Sequence, residues 1–258
     1  MSEATYYYIV YGWLLLGLIT FFYLLKVPAP FGRHTSTNYG PMMDNKWGWI
    51  IMEIASPIFF SYFLFTGSLE MTTPKWIFWG LWVTHYFNRS LIYPFRQKDT
   101  KKKMPVLVML SAVGFNFMNG FIVGTYLGNF AVYPEGWLTS PLMIIGVIVW
   151  LTGFFINFQS DNILLSLRKP GETGYKIPHG GMFRFISCPN HFGEIVEWTG
   201  FAIMTFSAIG IAGSLPTATF AIWTAMNLIP RAVFHHKWYL EKFTDYPKER
   251  RAVLPFVW

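Results

Sequence analysis

Charge is scarce in this chain: only 13% of its 258 residues are Asp, Glu, Lys or Arg, about half the roughly 25% of an ordinary soluble domain. That excludes a disordered chain and argues against a soluble enzyme. Cysteine is scarcer still. With Cys188 alone, neither an intrachain disulfide nor a cysteine metal centre can form, and the thiol reads as a packing residue. No G-x-G-x-x-G and no P-loop occurs, so a bound nucleotide would need another scaffold. The formal charge is +7, but the cations lie between apolar runs and form no stripe, so no nucleic-acid partner is expected.

Apolar residues are what the chain has in excess, 53% hydrophobic and 20% aromatic. They gather into runs of about the 20 residues that a helix needs to cross hydrocarbon. The first, about 5–25, has Ser2-Glu3-Ala4 before it and Leu25-Lys26-Val27-Pro28 after it. It therefore lacks the basic start and small-residue site of a cleaved signal peptide and is expected to stay attached. Further runs lie at about 47–67, 75–95, 105–131 and 138–160. The charge-free stretch between Glu197 and Arg231 is too long for one crossing, and Gly213-Ser214-Leu215-Pro216 is predicted to break it into about 191–212 and 216–237.

The expected fold is an all-α, multi-pass integral membrane protein, one domain over 1–258 with seven transmembrane helices. The basic residues test that count, because they should alternate between the two sides. Segments 26–46, 96–104, 161–190 and the tail 238–258, with Lys237 at its edge, hold nearly all of them; only Lys75, Arg89 and Arg231 fall elsewhere. These segments are therefore expected in the cytosol with the C-terminus, and the N-terminus outside. Lys101-Lys102-Lys103 reads as a solvated or lipid-headgroup patch. The membrane would be a bacterial inner membrane, or the endoplasmic reticulum in a eukaryote, and the protein is expected to be a monomer.

Ionisable residues at membrane depth are expensive and face the bundle interior, which makes them functional candidates. Glu53 lies in the second run. His85/Arg89 and Tyr86/Tyr93 in the third are each predicted to share a helical face. The competing reading is a Glu53–Arg89 ion pair that only holds two helices together. A second cluster forms at the cytosolic ends of the last three spans: Asn157 with Asp161; Asn190, Glu194 and Glu197; Arg231, His235 and Tyr239. Each set repeats at helical spacing, and three such stripes at one end predict a polar cavity, against interhelical hydrogen bonding alone. Adjacent His235 and His236 point about 100° apart on a helix, so only one can join a given site, and no metal is expected. The loop Arg168-Lys169-Pro170-Gly171-Glu172-Thr173-Gly174-Tyr175-Lys176 is rich in cations and turn formers and suits phosphate groups.

Together these residues resemble the steroid 5-alpha-reductases. The resemblance is carried by Asn157-Phe158-Gln159-Ser160-Asp161, Leu167-Arg168-Lys169-Pro170-Gly171, Tyr175-Lys176-Ile177-Pro178, Asn190, Gly193-Glu194 and Glu197-Trp198. His85-Tyr86-Phe87-Asn88-Arg89, the Glu53 segment and the ending Arg231-Ala232, His235-His236, Tyr239-Leu240, Tyr246-Pro247-Lys248 and Pro255-Phe256 extend it. The sequence departs from the family's pattern in a longer, more basic Phe95–Lys101 loop, in Ser187-Cys188-Pro189 and in Phe31.

The resemblance implies a seven-helix membrane enzyme that moves hydride from NADPH to a 3-oxo-Δ4-steroid. By motif, Glu53 and Tyr86 match the pair at the steroid 3-keto oxygen. Asn157, Asp161, Arg168, Tyr175, Asn190, Glu194, Arg231, His235 and Tyr239 match the polar positions around NADPH. The β-carbon of an enone accepts hydride only if donors wait where the enolate oxygen forms. Either a neutral Glu53 carboxyl or a Tyr86 hydroxyl backed by Glu53 would serve. The lipophilic substrate is expected to enter from the membrane. The rival readings are an NADPH-dependent reductase of enoyl-CoA or polyprenol double bonds, an S-adenosylmethionine-dependent membrane methyltransferase, and a transporter.

Overall fold

In the computed structural model of the chain, each predicted apolar run carries a helix. The structure describes every residue except 99–100, 170–171, 173, 208–210 and 256–258. Pro170, Gly171, Thr173 and Phe256 of the sequence motifs lie outside the described residues. The helices are α1 (Glu3–Leu24), α2 (Asn45–Phe65), α3 (Thr73–Phe87), α4 (Tyr93–Arg96), α5 (Val106–Asn129), α6 (Pro141–Ser166), α7 (Pro189–Met204) and α8 (Ile211–Lys242). Among the described residues, α1, α2, α5 and α6 are long and apolar enough to cross a membrane. α3 and α7 are shorter, with 15 and 16 residues. α8 has 32 residues, but Thr, Asn and cations interrupt its apolar positions.

Three expectations about boundaries are corrected. The break predicted at Gly213–Pro216 falls inside α8, and the chain leaves helix earlier, after Met204. Pro216 comes near the start of α8, where it deletes a single intrahelical bond. The Ser214 hydroxyl there accepts the Ser207 N–H at 3.1 Å, tying the preceding segment to the helix. α6 runs to Ser166, past the predicted end at 160, because no helix breaker intervenes, so the start of the expected 161–190 loop is helical and Asp161 lies on the helix with Asn157, as their spacing predicted. α8 likewise carries the first part of the expected tail to Lys242. The chain also has one small sheet, in which β1 (Met42–Asp44) pairs antiparallel with β2 (Lys103–Pro105). Strands of three residues leave no readable period.

The chain gathers into two units, one of residues 1–28, 144–204 and 218–258 and one of 29–143 and 205–217. In the second unit, Asp44 starts α2 by accepting the N–H of Lys46 at 2.9 Å and of Trp47 at 3.2 Å, an N-cap. α2 and α5 pack closely because Gly120, Gly124 and Gly128 present bare backbone. A Cβ at Gly124 would lie 2.8 Å from the Phe60 carbonyl oxygen. Pro57 sits inside α2 and leaves the Glu53 carbonyl without its helical donor. One residue earlier, the buried Asn116 amide donates to the Met52 carbonyl at 2.6 Å.

In the first unit, Gly146 and Gly153 of α6 face Gly200 and Gly193 of α7. A Cβ at Gly193 or Gly200 would lie 2.7 Å from the opposing glycine's carbonyl oxygen. The spacing identifies an antiparallel pair in near backbone contact, as small residues permit in membranes. α1 docks on α8 through Trp223, whose indole N–H donates to the Trp13 carbonyl at 2.9 Å. The tail returns to the start of α7: Ser187 N donates to Arg251 O at 2.8 Å and Cys188 N to Ala252 O at 3.1 Å. Cys188 is buried with Ala232 and Val253, a packing residue as expected.

Candidate active site

The second unit holds Glu53 and Tyr86. Trp82 donates its indole N–H to the buried Ser56 hydroxyl at 3.2 Å, tying α3 to the turn of α2 after Glu53. The Trp82 ring lies 5.7 Å from that of Tyr86, which is itself 95% buried. Beyond Phe87 the helix opens into a π turn, Asn88–Ile92, in which Tyr93 N–H donates to the Asn88 carbonyl. Pro94 cannot donate to the preceding turn, and the extra residue absorbs the defect; such turns recur at functional sites. The inserted residue also rotates the next helical turn by about 100°. Tyr86 and Tyr93 therefore leave the common face predicted for them: Tyr86 packs on Trp82 and His85, Tyr93 on Trp49.

Arg89 stands in this π turn. Its guanidinium carbon lies 4.8 Å from the centres of both the Trp49 and the Tyr93 rings. Its Nη2 is 3.9 Å from Glu53 Oε1, so the predicted ion pair is present. That distance is Coulombic contact and not a hydrogen bond. Both side chains are largely but not fully buried.

The first unit holds the other predicted residues. The Asn157 amide of α6 donates to the Asn190 carbonyl at the start of α7, at 2.9 Å. This bond exists because the glycine seam brings the helices together: a Cβ at Gly193 would strike the Asn157 backbone. Asn157 and Asp161 are both 97% buried. Glu194 is half-buried one turn on, while Glu197 of the same stripe is completely buried. Arg168 lies over the Tyr175 ring at 4.7 Å, and that ring meets Trp238 of α8 edge-on at 4.8 Å. In the same loop, Lys176 pairs with Glu172 at 2.6 Å. That hydrogen bond first, then the Lys169 N–H, holds the Glu172 carboxyl below its ordinary range.

On α8, Arg231 donates to the Asn227 side chain at 3.0 Å, and the His235 ring lies 5.6 Å from that of His191. Tyr239 is buried and stacks parallel on Tyr246 of the tail, 5.0 Å away at 9°. His236 points elsewhere, as its helical angle required, and its Nδ1 bonds the Ser187 hydroxyl at 2.6 Å. Ser187 also bonds the Tyr246 hydroxyl at 2.6 Å. Burial pushes that phenol up, against its bonds to Ser187 and Arg250. Sequence reasoning did not assign His191, Ser187, Tyr246 or the buried Arg250, since each becomes a neighbour only through the returning tail or the α7 seam. Among the described residues no group of three or more His, Cys, Asp or Glu is placed to hold a metal ion.

These two sets of residues can be compared with known proteins. The profile of the 3-oxo-5-alpha-steroid 4-dehydrogenase family matches residues 102–258. The chain is 40% identical over 230 residues to 3-oxo-5-alpha-steroid 4-dehydrogenase 1 of Macaca fascicularis, covering 88% of this chain and 84% of the relative. It belongs to this family. Plant members are similarly close: steroid 5-alpha-reductase DET2 of Gossypium hirsutum is 35% identical over 266 residues, 100% of this chain and 99% of the relative. That of Arabidopsis thaliana is 38% identical over 244 residues, 91% and 90%. Members are oxidoreductases acting on CH–CH groups, and with four helices among the described residues long and apolar enough to cross a membrane, this family member is a membrane enzyme of steroid metabolism.

Proposed function

We propose that this family member reduces the Δ4 double bond of 3-oxo-Δ4-steroids of the testosterone and progesterone type, with NADPH as reductant. The observation that carries the reading is that the second unit holds a buried Tyr86 and a largely buried Glu53 carboxyl; the first unit independently holds a buried amide and acid, Asn157 and Asp161, and the half-buried Arg168 guanidinium. The second set fits the cofactor by its chemistry. Arg168 offers a planar fork for phosphate, and Lys169 and Lys176 add point charges. Asp161 and Glu194 accept from hydroxyl or amide groups, and Asn157, Asn190, Arg231, His235 and Tyr239 complete a polar lining.

When bound, NADPH supplies the hydride that reaches C5. The protein's own residues act on the other partner. Tyr86 and Glu53 hold the 3-keto oxygen and stabilise the negative charge it gathers as the enone accepts hydride, after which C4 takes a proton. Their fixed setting against Trp82 and Arg89 means little reorganisation accompanies that charge. Seven crossings, an outer N-terminus and cytosolic 161–190 and tail segments would keep the cofactor residues on the side where NADPH is found. The apolar substrate reaches the site through the lipid phase of an inner or endoplasmic reticulum membrane.

The test is NADPH oxidation by the purified protein against testosterone, progesterone, an enoyl-CoA and a polyprenol. Turnover with the two steroids is expected. Turnover with the thioester or polyprenol alone would move the chain to another branch of double-bond reduction.

A further inference from the structure

Glu53 can orient a ketone only if its carboxyl is itself held, and α2 is a poor holder at that point. Pro57 deletes the hydrogen bond to the Glu53 carbonyl, and the side chain has three rotatable bonds. The restraint comes from outside the helix. Arg89 reaches Glu53 from the π turn at 3.9 Å, with its guanidinium set in a corner of two aromatic rings whose centres are 5.5 Å apart. Trp49 closes this corner twice, with its ring and with its indole N–H, which donates to the Arg89 carbonyl at 3.0 Å. One residue on, the Ser90 hydroxyl donates to the Tyr86 carbonyl at 2.6 Å. The same π turn therefore fixes the backbone of Tyr86 and delivers the cation that faces Glu53.

We infer that Arg89 is a positioning residue of the ketone site, which acts through Glu53 by aiming its carboxyl, and that the π turn exists to place it. This rests on the proposal that Glu53 and Tyr86 hold the ketone. A guanidinium suits the task because it is flat enough to stack on Trp49 and Tyr93 while its edge meets the carboxyl. At 3.9 Å the Nη2–Oε1 contact acts through charge.

The test is a double-mutant cycle of Arg89→Met and Glu53→Gln in the full-length enzyme, read as kcat with testosterone and as NADPH affinity. Arg89→Met alone should lower kcat on the order of 10²-fold, the scale of an ångström of misplacement at a reacting group, with NADPH affinity unchanged. In the Glu53→Gln background it should cost no more than about 2-fold, the scatter of independent effects. Arg89→Lys keeps the charge but loses the flat fork and should show an intermediate kcat with the same non-additivity. It also serves in the cycle should the methionine variant not fold. Equal fold losses in both backgrounds, or a loss of NADPH affinity alone, would overturn the inference while leaving the proposed function intact. If Glu53→Gln itself costs no turnover, the proposed ketone site fails first.

Discussion

Replacing Gly153 with alanine should destabilise the protein even though alanine is the better helix former. Glycine in a helix interior costs about 0.5–1 kcal/mol relative to alanine, so an open position would gain by the change. Gly153 is not open. Its added carbon would press on the Glu197 backbone and lie 2.5 Å from the Gly193 carbonyl oxygen, and backbone cannot rotate aside. Overpacking of this kind costs about 1–3 kcal/mol, and with several backbone atoms inside 3 Å the upper end applies. The net loss is about 2 kcal/mol, or about 4–8 °C at the 2–4 °C per kcal/mol of a chain of this size. Separating α6 from α7 also stretches the 2.9 Å Asn157–Asn190 bond, so NADPH affinity should fall together with stability. The assay is the apparent melting temperature in detergent, with an NADPH titration alongside. Gly80→Ala and Gly114→Ala, where nothing lies within 4 Å of the added carbon, should melt at or above wild type. Gly153→Ala melting at or above wild type with intact NADPH affinity would refute the seam as the element that builds the site.

Other outcomes depend on the residue assignments. Glu53→Gln and Tyr86→Phe should each lower turnover by about 10²-fold, as loss of one preorganised donor does, while NADPH affinity measured by fluorescence stays at the wild-type value; wild-type rates in both would remove them from the ketone. NADPH at a hundredfold excess over its Kd should stabilise the fold by about 2.7 kcal/mol, much less in Arg168→Ala, Asp161→Ala and Glu194→Ala, and S-adenosylmethionine should give no shift. A shift with S-adenosylmethionine alone would favour methyl transfer. In a Cys188→Ala background, cysteines at Lys176 and Glu249 should be labelled from the cytosolic face only, and labelling from the opposite face would overturn the seven-crossing topology.

The helices, and the buried ionisable residues within them, were legible in the sequence for a simple reason. A membrane span must be apolar for about 20 residues, so an Asp161 or Glu53 within one stands out without any knowledge of packing. Ends and contacts were less legible. Gly213–Pro216 read as a break because glycine and proline usually punctuate, yet proline near a helix start is tolerated. Even spacing predicted a shared face for Tyr86 and Tyr93, but a π turn around Pro94 changes the count by one residue, and nothing local announces it. Ser187, Tyr246 and His191 carry no periodic signal; the returning tail and the glycine seam give them their neighbours. The ion pair of Glu53 with Arg89 was foreseeable from charge balance in an apolar setting, whereas the aromatic corner that holds it was not.

Hydride transfer to the steroid is tested by tracking the hydrogen itself. The purified protein is incubated with testosterone and NADPH carrying deuterium at the transferable position of nicotinamide C4, and the product is analysed by mass spectrometry and NMR. The expected product is a 5-alpha-dihydrosteroid with one deuterium at C5 and a solvent-derived hydrogen at C4. Deuterium at C4, or a protein that folds, binds NADPH and leaves the steroid unreduced, would contradict the proposed reaction.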